Sequence, residues 1–433
     1  MDTNRKPRFA ISKTLDSPGL PIISRPQLDI PNSEQSLSLF FHQYVAPSDG
    51  VTPGMNEFLP LFYQQAEPNS CLKHCVAATA YASFANQSKS TVISRKAWES
   101  YGKALSSVNA ALADPIESLK DETLSALFVL GMFENISAQQ LHIFGVHGSG
   151  MDRLLHFRGP KRRTSPNGQR ISKAVCDYLQ IRNLSLGRRP PPHEHVFFGN
   201  PNFSVQYQIA MLSISSICCV RADAEDLLTE VANTSLGDSD ASLQRKCDAL
   251  TAIVAQMRVI HNDHWSWAQN APNSWHYASV SSPAAPDGTV HIYYNLWIAN
   301  FWNWTRSSCI LLQASILKCL NALSTISEIR VSHDSLKEDA ETTIKTMIRE
   351  ICATIPFVMS DIDSQGNTVK VSRTAAPSVG QSMAQLWTLW HFRIVLLSGY
   401  ALPHQMKCIR DAILRIGHEK GIRVALLGGR AVA

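Results

Sequence analysis

Residues 121–159, DETLSALFVLGMFENISAQQLHIFGVHGSGMDRLLHFRG, leave the chain few ways to fold. Leu124, Leu127, Phe128, Leu130 and Phe133 recur at helical spacing and give a first helix one broad apolar face. Asp121 and Glu122 stand at its start, where the positive end of the helix dipole stabilises carboxylates. A second helix is predicted from about Ala138 to Arg158. Phe144, Met151, Leu154 and Leu155 recur along it, with His147 and Gly150 on the same side. A glycine inside a helix costs about 1 kcal/mol relative to alanine, so Gly145, Gly148 and Gly150 imply close approach by a neighbouring helix or a ligand. Arg158-Gly159-Pro160 supplies a cation near the carbonyl end, a left-handed cap and a stop. Two apolar faces of this kind must be covered by further helices.

The remaining chain supplies them. Residues 1–35, rich in Pro, Ser and charge, are predicted to form a disordered tail, and residues 36–433 a single all-helical domain. Helical patterns run through an alanine-rich stretch at 70–86 and through a stripe of Trp98, Tyr101, Leu105, Val108 and Leu112. Others occupy 204–232, 243–269, 338–360 and the C-terminal stretch. The 433 residues are 45% hydrophobic, enough for a large core. A net charge of +5 is too weak over this length to imply nucleic-acid binding. No uninterrupted apolar run reaches about eighteen residues, so no membrane span is expected. The N-terminus has no apolar stretch of the secretory kind. Ten cysteines lie mostly inside apolar helical patterns, which points to reduced, buried thiols in an intracellular protein, nuclear or cytoplasmic.

Several clusters have chemistry to offer. Cys71 and Cys75 flank His74 on one helical face, but no second pair lies near them, so a core role is favoured over a metal. His193 and His195 can chelate a metal only in extended structure and lack a third ligand. The triplet Lys161-Arg162-Arg163 reads as a solvated loop before a localisation signal. In His261-Asn-Asp-His264-Trp-Ser-Trp267, Asp263 can orient a histidine, and Trp265 and Trp267 can wall an apolar ligand. Capping and packing are the competing explanation. Arg306, inside an apolar stripe, must find partners if buried, and Asn303 is suited to bridge backbone groups between helices. No nucleophile motif, phosphate loop or dinucleotide glycine pattern is present, and no cofactor or metal is expected.

Several of these residues form a recognisable order. Phe133-Glu134, Phe144, His147, Gly150, Leu154-Leu155 and Arg158-Gly159 resemble the middle homology region of fungal zinc-cluster transcription factors, with Phe144 where that family usually has tryptophan. Trp98, Tyr101, Ala104-Leu105 and Asn109 are similar to the segment before it. Tyr294, Trp297, Ala299, Trp302, Asn303 and Arg306 match a later pattern. Leu386, Trp387, Leu389 and Trp390, then Ile409, Ile413, Ile416-Gly417 and Gly421-Ile422, complete the series in family order. The zinc-cluster module has no counterpart: no cysteine precedes Cys71 and no Cys-x-x-Cys pair occurs. Direct sequence-specific DNA binding is therefore not implied. The resemblance implies an all-α, helical-repeat-like bundle enclosing a central apolar cavity, as in the sterol-sensing regulators.

Two functions follow. One is a transcription-factor-like regulator, linked to fungal secondary metabolism. It would bind an apolar small molecule (terpenoid, sterol or polyketide-like) and act through a DNA-binding partner protein. The other is a cofactor-free cyclase, pericyclase or isomerase on the same fold, needing mainly shape and a few hydrogen-bond donors. The regulator is favoured. The candidate pocket residues are Phe144, His147, His261, His264, Trp265, Trp267, Trp297, Trp302, Trp387 and Trp390. His147 and then His264 are the candidates for acid/base chemistry.

Overall fold

The computed structural model describes residues 32–138, 147–159, 166–191, 204–233, 240–326, 333–369 and 378–428. The expected tail up to residue 31, Phe144 and Gly145, the triplet 161–163, and His193 and His195 lie outside the described residues.

Among the described residues the protein is all-α apart from one small hairpin. A first group comprises α1 (Asn32–Tyr44), α2 (Leu59–Gln65), α3 (Cys71–Ser88), α4 (Thr91–Ala113) and α5 (Asp121–Ser137). Helix α1 begins inside the segment expected to be tail. Alanines let α3 lie close to its neighbours, with Ala78, Ala80, Ala82 and Ala85 all buried. Ser70 Oγ accepts from Lys73 N at the start of α3, and Ser90 Oγ from Ile93 N at the start of α4, each satisfying a backbone donor that the helix leaves unpaired. Tyr101 of α4 stacks on Phe133 of α5 at 4.3 Å, whereas Leu112, at the end of the expected stripe, is exposed.

Helices α6 (His147–Arg158) and α7 (Pro166–Leu186) follow. The helix expected from about Ala138 to Arg158 does not begin at Ala138. Ala138 takes a left-handed conformation (φ 46°) and donates its N–H back to Glu134 O, which ends α5; residues 139–146 lie outside the described residues, and α6 is described from His147. The glycine argument holds at Gly148: a Cβ there would meet Tyr178 and Arg182 of α7 at 3.2 Å. Gly150 has open space instead. The dipole-favoured Asp121 accepts from Arg158, joining the start of α5 to the end of α6.

Next come α8 (Val205–Ala232), α9 (Asp240–Asp263), the single turn α10 (Ser266–Gln269), strands β1 (Ala278–Ser281) and β2 (Thr289–Ile292), and the long α11 (Leu296–Ile326). The strands pair antiparallel, Ala278 opposite Ile292 and Ser281 opposite Thr289. Helix α11 is long and apolar enough to cross a membrane by length and composition. Its position in the core accounts for that composition. It packs against α8, α9, α12 (Asp334–Val358) and α13 (Gln381–Leu397). It also buries Asn303 and Arg306, whose polar partners come from neighbouring elements. Finally α14 (Pro403–Glu419) and α15 (Val424–Gly428) return to the first group. Asn86 Nδ2 donates to Ile136 O at 2.9 Å and to Gly421 O at 2.8 Å, so one α3 side chain ties α5 to the C-terminal segment. A continuous apolar cluster runs from Phe40 to Ala425.

Candidate functional site

Where the first helical group meets α11 and α13, the packing leaves a cavity. It holds about 110 Å³ of water-accessible space within about 1180 Å³ of unfilled volume that includes its mouth. Four helices each contribute a face at i, i+3/i+4, i+7 spacing. Phe128, Gly131, Met132 and Asn135 come from α5, and Lys173, Ala174, Asp177, Tyr178 and Ile181 from α7. Trp297, Asn300, Phe301 and Trp304 come from α11, and Met383, Leu386, Trp387, Trp390 and His391 from α13. The loop before α2 adds Gly54, Asn56, Glu57 and Phe58. Most of this wall is aromatic or aliphatic, with polar groups at a few places, the composition expected of a small-molecule site.

Most of those polar groups are already engaged. Lys173 Nζ lies 2.6 Å from Asp177 Oδ2, and the Tyr207 hydroxyl donates to the other carboxylate oxygen. Glu57 and the half-exposed Arg170 approach to 3.9 Å at the mouth. Asn300 is bonded to Leu296 O and Thr388, and Asn56 to Tyr44 O. His391 Nδ1 stands 2.9 Å from Ser307 Oγ, and burial pushes its pKa down to about 3, so the ring is neutral. Among the buried polar atoms of the lining residues, Asn135 Oδ1, an acceptor, and Trp304 Nε1, a donor, have no hydrogen-bond partner among the described residues. An unmatched buried polar atom costs about 1–3 kcal/mol, so such atoms mark a place where a partner is missing.

The candidates named from sequence divide into two sets. Trp297, Trp387 and Trp390 line the cavity. Trp265, Trp267 and Trp302 instead form an aromatic cluster with Trp275 and Phe301, with Trp267 only 4.8 Å from Trp302 and 4.9 Å from Phe301. His264 is fully buried, its Nδ1 2.9 Å from Ser213 Oγ and its Nε2 2.9 Å from Thr305 O. Burial lowers its pKa to about 4. It pins the end of α9 to α8 and α11. His261 Nδ1 faces Cys309 Sγ at 3.6 Å, and burial lowers its pKa as well. His147 Nε2 is 3.4 Å from Glu134 Oε1, without hydrogen-bond alignment, and its pKa is also lowered by burial. None of these three histidines lines the cavity. Cys71 and Cys75 are buried core thiols, and burial raises Cys71 to about 11.

Asn135, Tyr178, Trp304 and His391 were missed by the sequence reading. For Trp304 a signal was present. At 100° per residue it falls only about 20° from Trp297 on the helix wheel, whereas Trp302 falls about 140° away. Resemblance favoured Trp302; helical geometry favours Trp304. No local pattern marks Asn135 or Tyr178, because their relevance arises only when α5 and α7 meet α11.

Arg306 is a fully buried charge satisfied on several sides. Its Nη1 donates to the Tyr293 hydroxyl at 2.7 Å, Asn303 Oδ1 at 3.0 Å and Thr354 Oγ1 at 3.2 Å, and its Nη2 to Glu350 Oε2 at 3.2 Å. Asn303 thus bridges side chains, not the backbone groups expected. The cluster locks β2, α11 and α12 together outside the cavity lining.

The fold is that of an all-α protein, and comparison with known families agrees with the order of motifs. Residues 36–390 match the fungal-specific transcription factor domain, and the chain belongs to that family. It is 23% identical over 431 residues to transcription factor dbaG of Emericella nidulans, covering 94% of each chain. No solved structure matches it. Family and relative together support a regulatory role.

Proposed function

We propose that this protein is a transcription regulator controlled by an apolar small molecule held in the cavity between α5, α7, α11 and α13, and that it acts in the nucleus through a DNA-binding partner. The observation that carries this reading is an aromatic-walled cavity whose lining residues include a buried donor and a buried acceptor without partners among the described residues. Helices from the first group and from the C-terminal half both wall it, so a molecule filling it bears on how the two pack. That is how a ligand shifts the balance between two arrangements. A cyclase or isomerase that works by acid/base catalysis would need an acid or base in contact with substrate. The imidazole in the lining stays neutral down to about pH 3, and Asp177 is bound by Lys173 and Tyr207. The family match and the transcription-factor relative make the regulator the better supported of the two.

Fusing the chain to a heterologous DNA-binding module and reading a reporter with and without host extract tests this. Reporter output is expected to change with extract. A Gly131→Leu variant, which fills the cavity from α5, is expected to be indifferent to extract. Equal reporter output from the wild-type fusion in both conditions would contradict the reading.

A further inference from the structure

The ligand itself has a shape and a polarity that the walls specify. Of the nine tryptophans, all but Trp304 and Trp387 pack a ring against another ring. Trp297, for example, stacks on Phe301 at 4.9 Å and 14°. Among the described residues neither Trp304 nor Trp387 has a ring or a cation over its face, and both line the same cavity. Two indoles without a ring partner, both in the lining of one cavity while the other tryptophans are ring-paired, mark a place where a further ring can pack. Offset or edge-on aromatic pairing adds about 0.5–1.5 kcal/mol beyond burial, which a saturated ligand does not recover.

The unmatched polar atoms belong to the same walls. Trp304 Nε1 is a donor with no acceptor, and Asn135 Oδ1, on α5, is an acceptor with no donor. Both residues are more than nine-tenths buried. The charges nearest the cavity pair with each other, Lys173 with Asp177 and Arg170 with Glu57, so the lining offers no spare counter-charge to an ion.

Building on the cavity reading above, we infer that the ligand is a flat, uncharged aromatic molecule seated against Trp304 and Trp387. It carries a carbonyl-type acceptor for Trp304 Nε1 and a hydroxyl-type donor for Asn135 Oδ1: a hydroxyaryl ketone or quinone class of compound. Sterols and other saturated polycycles lack the ring face. Unsubstituted arenes lack the polar pair.

Three probes separate these features: 2-hydroxyanthraquinone, with rings, donor and acceptor; testosterone, with donor and acceptor on a saturated frame; and anthracene, with rings alone. Binding is read by quenching of tryptophan fluorescence and by calorimetry on the full chain. The hydroxyanthraquinone is expected to bind at least about tenfold more tightly than either control, the worth of one hydrogen bond or one ring pair. Trp304→Phe keeps a ring and removes the donor. It is expected to weaken the hydroxyanthraquinone about tenfold and leave anthracene unchanged. Trp387→Leu is expected to weaken both aromatics and leave testosterone unchanged. Tighter binding of testosterone, or no effect of Trp304→Phe on the hydroxyanthraquinone, overturns the inference. If no probe binds while Gly131→Leu still abolishes the reporter's response to extract, the inference falls and the cavity reading stands. If that response is also missing, both fall.

Discussion

Arg306 shows how a single side chain constrains this core. A guanidinium is always charged, and burying it without partners costs several kcal/mol. Here Tyr293, Asn303, Thr354 and Glu350 meet it, and the Tyr277 ring lies 4.9 Å from the guanidinium carbon. Arg306→Met leaves those acceptors unmatched and is expected to lower unfolding free energy by about 3 kcal/mol, read from urea midpoints. A loss under about 1 kcal/mol would mean the cluster relaxes without it. His264 and His391 make the opposite argument, because the fold holds both neutral. The unfolded chain takes up their protons near 6.5, while the folded values lie near 4 and near 3, with burial the main cause. Below pH 6.5 the unfolded state thus binds more protons, and stability falls with falling pH. The slope per histidine reaches about 1.4 kcal/mol per pH unit until the folded value is reached. His264→Asn is expected to remove one histidine's share of that slope between about pH 4.5 and 6, measured by urea unfolding across pH. An unchanged slope would show that His264 is not held neutral.

At the scale of elements, two glycines give opposite expectations. Gly131 lies inside α5, and a Cβ there meets only Met151 Cε at an ordinary 3.7 Å. Gly131→Ala is expected to stabilise by up to about 1 kcal/mol through helix propensity. Gly380 sits at φ +71° before α13, and a Cβ there would meet Met55 Cε at 2.7 Å and Ala46 Cβ at 2.9 Å. Gly380→Ala is expected to destabilise by more than about 1 kcal/mol, and denaturation of the pair checks both signs. Helices were legible in the sequence because apolar spacing near 3.6 is a local property, so α8 and the helix carrying Trp98 fell close to where expected. The hairpin was not. Four-residue strands carry almost no periodicity, and β1 and β2 are held by loop 361–369 from far along the chain, with Val280 and Val290 close around Gly366. Arg306's need for partners was readable from its charge in an apolar stripe. Their identities were not, since Glu350 and Thr354 come from α12.

For the whole molecule, the cavity is the feature that packing alone does not explain. At about 24 cal/mol per Å³, leaving about 110 Å³ unfilled costs on the order of 2–3 kcal/mol. A ligand offsets that cost when it binds, and so is expected to raise thermal stability in proportion to the logarithm of its concentration above its dissociation constant. The walls come from both halves of the chain, which is why sequence alone named only Trp297, Trp387 and Trp390 among them. Resemblance pointed also to Trp302, and local residue chemistry to the His261–Trp267 cluster, both of which the fold packs against the core. The most direct test is native mass spectrometry of wild-type and Gly131→Leu protein, each purified from the native host. The account predicts a bound small molecule of defined mass on the wild type, returned unchanged on release and absent from Gly131→Leu. Wild-type protein recovered at its bare chain mass, or a compound retained equally by Gly131→Leu, would contradict it.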